Sequence, residues 1–147
     1  MTKSRILLVD DDPAVRWMLL RVLQDEEYTV LPAANGAEAL ELAAAQSPQL
    51  ALLDLTLPIQ DGWQVLQRLA SDHPLLPVVI ITARPNQLFP ALASGVGALM
   101  EKPLDLPKLL RTIRDLLEEP LEARRARVAG RPAEFHFLPP SPALVQS

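Results

Sequence analysis

The sequence predicts an α/β protein built on a five-stranded parallel sheet, doubly wound, with strand order 2-1-3-4-5. Three observations predict it. Short apolar runs alternate strictly with segments of helical spacing, and such alternation implies a parallel sheet with helices on both faces. The runs at 5–9, 50–54 and 77–82 are almost continuously hydrophobic, as strands buried on both faces are. The run Tyr28–Leu31 is followed at once by Pro32; proline cannot donate to a ladder, which places this strand at an edge.

Each element has its own signal. Residues 5–9 form the first strand. Asp12-Pro13 opens a helix over about 13–24, Asp as cap and Pro at the first helical position, with Val15, Met18, Leu19, Val22 and Leu23 at helical spacing. After the second strand, Asn35-Gly-Ala-Glu38 resembles a capping box and starts a helix over about 36–46, ended by Ser47-Pro48. The third strand is 50–54. Asp61-Gly62 leads into a helix carrying Val65, Leu66 and Leu69, which stops before His73-Pro74. Pro77–Thr82 is β-branched and apolar, a fourth strand. Residues 86–94 are weakly helical and broken by Pro90. A fifth strand covers about 97–101. Asp105 caps a last helix, about 106–118, with Leu106, Leu109, Leu110, Ile113, Leu116 and Leu117 on its apolar face.

Composition bounds the function. The chain has 147 residues, 49% of them apolar, and no cysteine. That supports a full hydrophobic core and excludes a disulfide framework or a Cys-based zinc or redox site. The apolar run Ile6–Val9 ends at Asp10-Asp11-Asp12, too short for a signal peptide, and no run approaches membrane-spanning length. The reading is a soluble, cytoplasmic protein with no membrane partner. Net charge is −4, with −6 on residues 1–120 and +2 on residues 121–147. The acidic body is a poor nucleic-acid binder, and no DNA-binding domain is expected. Residues 1–119 read as one domain. Residues 120–147, with Arg124, Arg125, Arg127 and Arg131 and four prolines after 120, are too few for a second globular domain. They read as a partly helical, partly disordered extension or a docking peptide. Phe135-His-Phe137-Leu138 is expected to fold back over the short fourth helix and the fifth strand.

Strand ends gather the chemistry. Ligand sites in open parallel sheets lie beyond the carboxyl ends of the strands. The first strand ends in Asp10 and Asp11, the third in Asp54, the fourth in Thr82 and the fifth in Lys102. Three carboxylates in one place repel unless a cation neutralises them. With oxygen donors alone, a hard divalent ion fits, Mg²⁺ (or Mn²⁺) where phosphate oxygens complete the shell. Asp54 is then a carboxylate nucleophile able to accept a phosphoryl group. Lys102 supplies positive charge and Thr82 a hydroxyl donor, while Ala83 leaves room for the group.

These segments resemble the receiver domain of bacterial two-component response regulators. The resemblance runs over about residues 4–118. It is carried by Ile6–Arg16, by Ala34–Leu40, by Leu53–Pro58 with Asp61-Gly62, by Val78–Ala83 and by Glu101-Lys102-Pro103. It implies a flavodoxin-like fold with a C-terminal extension and a phosphoprotein of phosphorelay signal transduction. Asp54 would be the phosphoacceptor. Asp11 would bind Mg²⁺ directly, Asp10 mainly through water, and Thr56 through its backbone carbonyl. Thr82 would be the switch hydroxyl and Lys102 its partner, with a cis Lys102–Pro103 bond. The side chains of Thr56 and Arg84 would tune the lifetime of the phosphoryl group. The donor would be a phosphohistidine on a sensor histidine kinase or histidine phosphotransfer protein, docking over the first helix and the loop after the fifth strand. The protein would signal to a downstream protein target as a stand-alone receiver, a monomer or weak homodimer, and would catalyse only its own phosphorylation and dephosphorylation.

Two features depart from the family pattern. Leu99 stands where the family usually has Tyr or Phe, and the stretch Thr82–Gly95 is about two residues short and holds Pro90. Both fall on the face the family uses for output. They motivate an alternative, a pseudo-receiver acting as a phosphorylation-independent interaction module. A phosphatase on a related sheet would have a second Asp where Thr56 stands, and a flavin site is disfavoured by the negative first loop. His73 reads as a surface loop residue and His136 has no evident metal partner. Trp17 and Trp63 read as packing residues, Trp17 also as a possible docking-face residue.

Overall fold

A computed structural model describes residues 3–55, 57, 62–84, 86–131 and 134–141. The described residues run β1 (Arg5–Val9), α1 (Pro13–Asp25), β2 (Thr29–Ala33), α2 (Gly36–Gln46), β3 (Leu50–Asp54), α3 (Gly62–Asp72), β4 (Val78–Thr82), α4 (Leu88–Ala93), β5 (Ala98–Glu101), α5 (Leu106–Glu118), α6 (Leu121–Val128) and β6 (His136–Leu138). The strand order is β2-β1-β3-β4-β5-β6. This is the expected doubly wound order with one strand more. No described helix is long and apolar enough to cross a membrane. By its internal contacts the chain forms two compact units, Met1–Leu76 and Pro77–Ser147.

In the first unit β1 pairs in parallel with both β2 and β3. Ile6–Val9 and Leu50–Leu53 are fully buried, as their unbroken apolar character requires. Leu19 and Leu23 of α1 and Val65, Leu66 and Leu69 of α3 are buried too. The helix starts are set by side chains. Asp12 accepts from the N–H groups of Ala14 at 2.9 Å and Val15 at 3.4 Å. Asn35 accepts from the Glu38 N–H at 2.9 Å, and Glu38 reaches back to the Ala34 N–H at 2.9 Å. This is a capping box displaced by one residue. Arg5 closes the far end of α2, donating to the carbonyls of Gln46 and Ser47.

Pro32 lies inside β2 rather than after it. The Thr29 N–H donates to the Ser4 carbonyl and the Ala33 carbonyl accepts from the Asp10 N–H. These odd positions face β1, so by strand alternation Pro32 faces away, where no donor is needed.

In the second unit β4 pairs with β5, and β5 with β6, both in parallel. Val79, Ile80, Leu99, Met100, Leu109, Ile113 and Leu116 are buried. The helix before β5 is short, six residues around Pro90, as expected. Gly97 leaves room for α5 where β5 starts: a Cβ there would lie 2.7 Å from Leu116 Cδ2, and that side chain would have to shift.

Residues 121–128 are helical, and residues 136–138 add a sixth strand to the edge of β5. Fold-back onto the fifth strand is therefore observed. Three residues between Phe135 and two prolines are too short for period-2 alternation to announce a strand.

Gly62 closes the loop after β3. A Cβ there would lie 2.4 Å from the Leu55 Cα, and its N–H donates to the Leu55 carbonyl at 3.0 Å. Both atoms are backbone, so neither can rotate aside. Gly62→Ala should cost about 1–3 kcal/mol, the usual scale for forced overpacking, measured by urea unfolding; a change below about 0.5 kcal/mol would show that the loop relaxes freely.

Candidate functional site

The first unit brings together three of the predicted site residues. Val9 pairs with Leu53 across β1 and β3, so the next residue on each strand, Asp10 and Asp54, sits at the same level. Both are buried, 1% and 3% exposed. Asp11, one residue on, is exposed. One carboxylate oxygen from each of the three lies within 4.8 Å of the others.

The cluster is held by its own backbone. Asp10 Oδ1 accepts from the Asp12 N–H at 2.9 Å, so the residue that caps α1 also braces the first carboxylate. The Asp10 carbonyl accepts from Arg16 Nη1 at 2.6 Å, and its N–H donates to the Ala33 carbonyl at 3.2 Å. Arg16 is a positioning residue that sequence spacing did not single out. It lies six residues beyond its acceptor, a separation with no helical or strand signature, and only the turn into α1 brings the two together.

The second unit places Thr82 and Lys102 side by side. Thr82 ends β4 opposite Glu101, and the Lys102 N–H donates to the Thr82 carbonyl at 2.8 Å. Thr82 is fully buried. Its Oγ1 accepts from the Arg84 N–H at 2.8 Å, a local turn that fixes the hydroxyl. Lys102 is half-buried, and the Lys102–Pro103 bond is cis, as the resemblance implied. Thr56, the expected carbonyl ligand, lies outside the described residues.

The remaining candidates fall elsewhere. His73 is half-buried, its N–H donating to the Leu69 carbonyl at 2.7 Å. His136 Nε2 is 3.9 Å from Glu134 Oε1. Trp17 corrects the packing expectation. It is 59% exposed, with the Arg21 guanidinium 5.0 Å from its ring centre. Its position explains this, since it lies two residues from Leu19 and so about 200° round the helix from that buried side chain.

The three carboxylates fit a hard divalent cation. Their oxygens are close enough for one ion to touch all three, and the donor set holds no nitrogen or sulfur that would favour a softer metal. Two of the three are buried, where like charges are screened least.

The response regulator receiver domain model matches residues 6–114. The chain belongs to the response regulator receiver domain family. The match spans the three carboxylates, Thr82 and Lys102. Among relatives of this receiver domain, the response regulator MprA of Mycobacterium ulcerans is 41% identical over 115 residues, which are 77% of this chain and 50% of MprA. The DNA-binding transcriptional regulator NtrC of Escherichia coli is 31% identical over 129 residues, 86% of this chain and 28% of NtrC. A CheY-like receiver domain from Methanospirillum hungatei superposes with a TM-score of 0.77 at 30% identity, covering 82% of this chain and 98% of that one. The chemotaxis regulator CheY4 of Vibrio cholerae gives a TM-score of 0.72 at 27% identity, covering 78% and 99%. The fold is thus the flavodoxin-like receiver fold expected from the sequence.

These relatives overturn one expectation. The sequence reading excluded a DNA-binding domain and with it DNA as a partner. Yet one matched relative is a DNA-binding regulator, and the chain spans about half or less of these relatives. The acidic balance of residues 1–120 describes the receiver alone, and the charge of a receiver is no guide to what a longer chain joins to it.

Adding Mg²⁺ should raise the unfolding temperature of the receiver, because a ligand of the folded state alone stabilises it by about 2.7 kcal/mol at a hundredfold excess over Kd. Asp11→Asn and Asp54→Asn should each shrink that rise. Equal rises in wild type and both variants, read by calorimetry, would place the cation elsewhere.

Proposed function

We propose that this receiver domain takes a phosphoryl group onto Asp54 from a phosphohistidine of a sensor histidine kinase or phosphotransfer protein, in a Mg²⁺-dependent reaction, and signals through changed protein contacts. The convergence of Asp10, Asp11 and Asp54 at the ends of β1 and β3 carries this reading, and membership of the family supports it. The reading includes a cytoplasmic setting.

The chemistry follows from the residues. An ionised Asp54 carboxylate attacks phosphorus; the new O–P bond forms as the N–P bond of the donor breaks, and the bonding pair returns to the imidazole nitrogen. No general base is needed, since the attacking carboxylate oxygen carries no proton. Asp10, Asp11, Asp54 and the Thr56 carbonyl would hold Mg²⁺. When bound, the ion offsets the negative charge that carboxylates and phosphoryl oxygens bring together. Thr82 and Lys102 take the family's roles as hydroxyl and ammonium donors to the phosphoryl oxygens. The Arg84 N–H on Thr82 Oγ1 orients the hydroxyl before the group arrives. Return to the resting state is hydrolysis of the acyl phosphate, so the chain acts catalytically on itself alone.

A second reading is favoured by one observation. Leu99 is fully buried on β5, where the family resemblance calls for an aromatic side chain. An aliphatic residue sealed in the core gives the movement of Thr82 no ring to reorient. In that reading the chain is a pseudo-receiver that binds partners whether or not Asp54 is modified.

Intact mass after incubation with acetyl phosphate and Mg²⁺ should rise by one phosphoryl group. The gain should vanish in Asp54→Asn and persist in Thr82→Ala. No gain with any phosphodonor, in protein that still binds Mg²⁺, would sink the phosphoacceptor reading and leave the pseudo-receiver.

A further inference from the structure

The Glu119 carboxylate, at the end of α5, gathers the side chains of the extension that follows it. Arg127 of α6 is buried, its side chain 8% exposed, and it forks onto Glu119, whose side chain is 12% exposed. Arg127 Nη1 donates to Glu119 Oε2 at 3.2 Å, and Arg127 Nη2 donates to Glu119 Oε1. Arg124 Nε lies 3.5 Å from the same carboxylate, while Arg124 Nη2 donates to the carbonyls of Leu116 and Leu117 at the end of α5. Arg127 Nη1 also donates to the Glu134 carbonyl at 3.1 Å. Glu119 therefore ties α5, α6 and the segment leading into β6 to one point.

The strand beyond that point is lightly held. Its ladder with β5 is three residues long. An open groove of about 540 Å³ runs beside it, lined by Lys108, Arg111, Thr112 and Asp115 of α5 and by residues 135–138. Phe137 is 44% exposed, and only Leu138 of the strand is buried. The His136 N–H donates to the Gly97 carbonyl at 3.1 Å at the near end, and the Ser141 N–H to the Pro103 carbonyl at 2.9 Å at the far end. Beneath it Ala98, Leu99 and Met100 of β5 are fully buried.

We propose that residues 134–141 are a releasable strap over the outer edge of β5, latched by Glu119, and that this edge is a strand-docking surface whose occupant is that segment. A buried cation stripped of its partner is strongly disfavoured, so removing the Glu119 charge expels Arg127 and with it the anchor of Glu134. What remains on β5 is a short ladder, the least stable kind of pairing and the first to open locally. An opened edge presents unpaired backbone groups, which an extended segment satisfies by strand addition. This inference does not depend on phosphoryl transfer.

Hydrogen exchange on the full chain tests it, comparing wild type with Glu119→Gln. Exchange over 134–141 and at the β5 amides that face it should speed up by about tenfold or more, a local opening that leaves residues 6–9 and 50–53 unchanged. A fluorescein-labelled synthetic peptide of residues 134–141 should bind Glu119→Gln saturably, read by anisotropy, and should not bind wild type. Unchanged exchange over 134–141 would overturn the latch. Equal loss of protection at 6–9 would show that the segment is an integral part of the fold. Opening without peptide binding would overturn the strand-docking surface, since the edge would then hold the segment only as part of its own chain.

Discussion

Holding like charges together is the constraint on which the rest of the structure depends. Asp10, Asp11 and Asp54 stand within 4.8 Å of one another, an arrangement a flexible chain would relax by moving apart. They stay because each is the continuation of a strand that cannot move. Residues 6–9 of β1 and 50–53 of β3 are apolar and buried. A slip of one residue would turn every side chain to the wrong face. The stiffness of the sheet is thus what lets the site keep its charge density, and the hydrophobic runs that define the fold are also what hold the carboxylates in place.

Thr82 and Lys102 are fixed by the same logic with different means. Their proximity comes from backbone pairing at the ends of β4 and β5. Direction is added locally: Arg84 orients the hydroxyl through its amide, and Arg16 secures the Asp10 carbonyl.

Much of this was legible in the sequence. The third strand ends at Asp54, the second helix spans 36–46 and the last core helix spans 106–118, as their apolar spacing and caps indicated. These signals are local, so one residue's chemistry decides each. The site carboxylates were legible because strand ends are where such sheets gather ligands. What was not legible depends on distant pairing. Pro32 inside β2 is permitted only by the direction its neighbours face. The sixth strand has a propensity too weak to stand without β5 beside it. Arg124 and Arg127 carry no sequence signal of a partner and are drawn onto Glu119. A buried ion pair has no sequence period. The DNA expectation failed for another reason, that composition of one domain does not describe its neighbours.

Proline marks both margins of the sheet. Pro32 lies within β2 and Pro139 with Pro140 follows β6. Pro32 takes one N–H from the outer edge of β2 and the two prolines stop β6 from lengthening, and short, proline-bearing borders are how natural sheets avoid growing into fibres. A chain with 49% apolar residues carries a standing hazard of self-association at the concentrations of overexpression. Its borders blunt that hazard at the level of the backbone, without spending surface charge that recognition of partners requires.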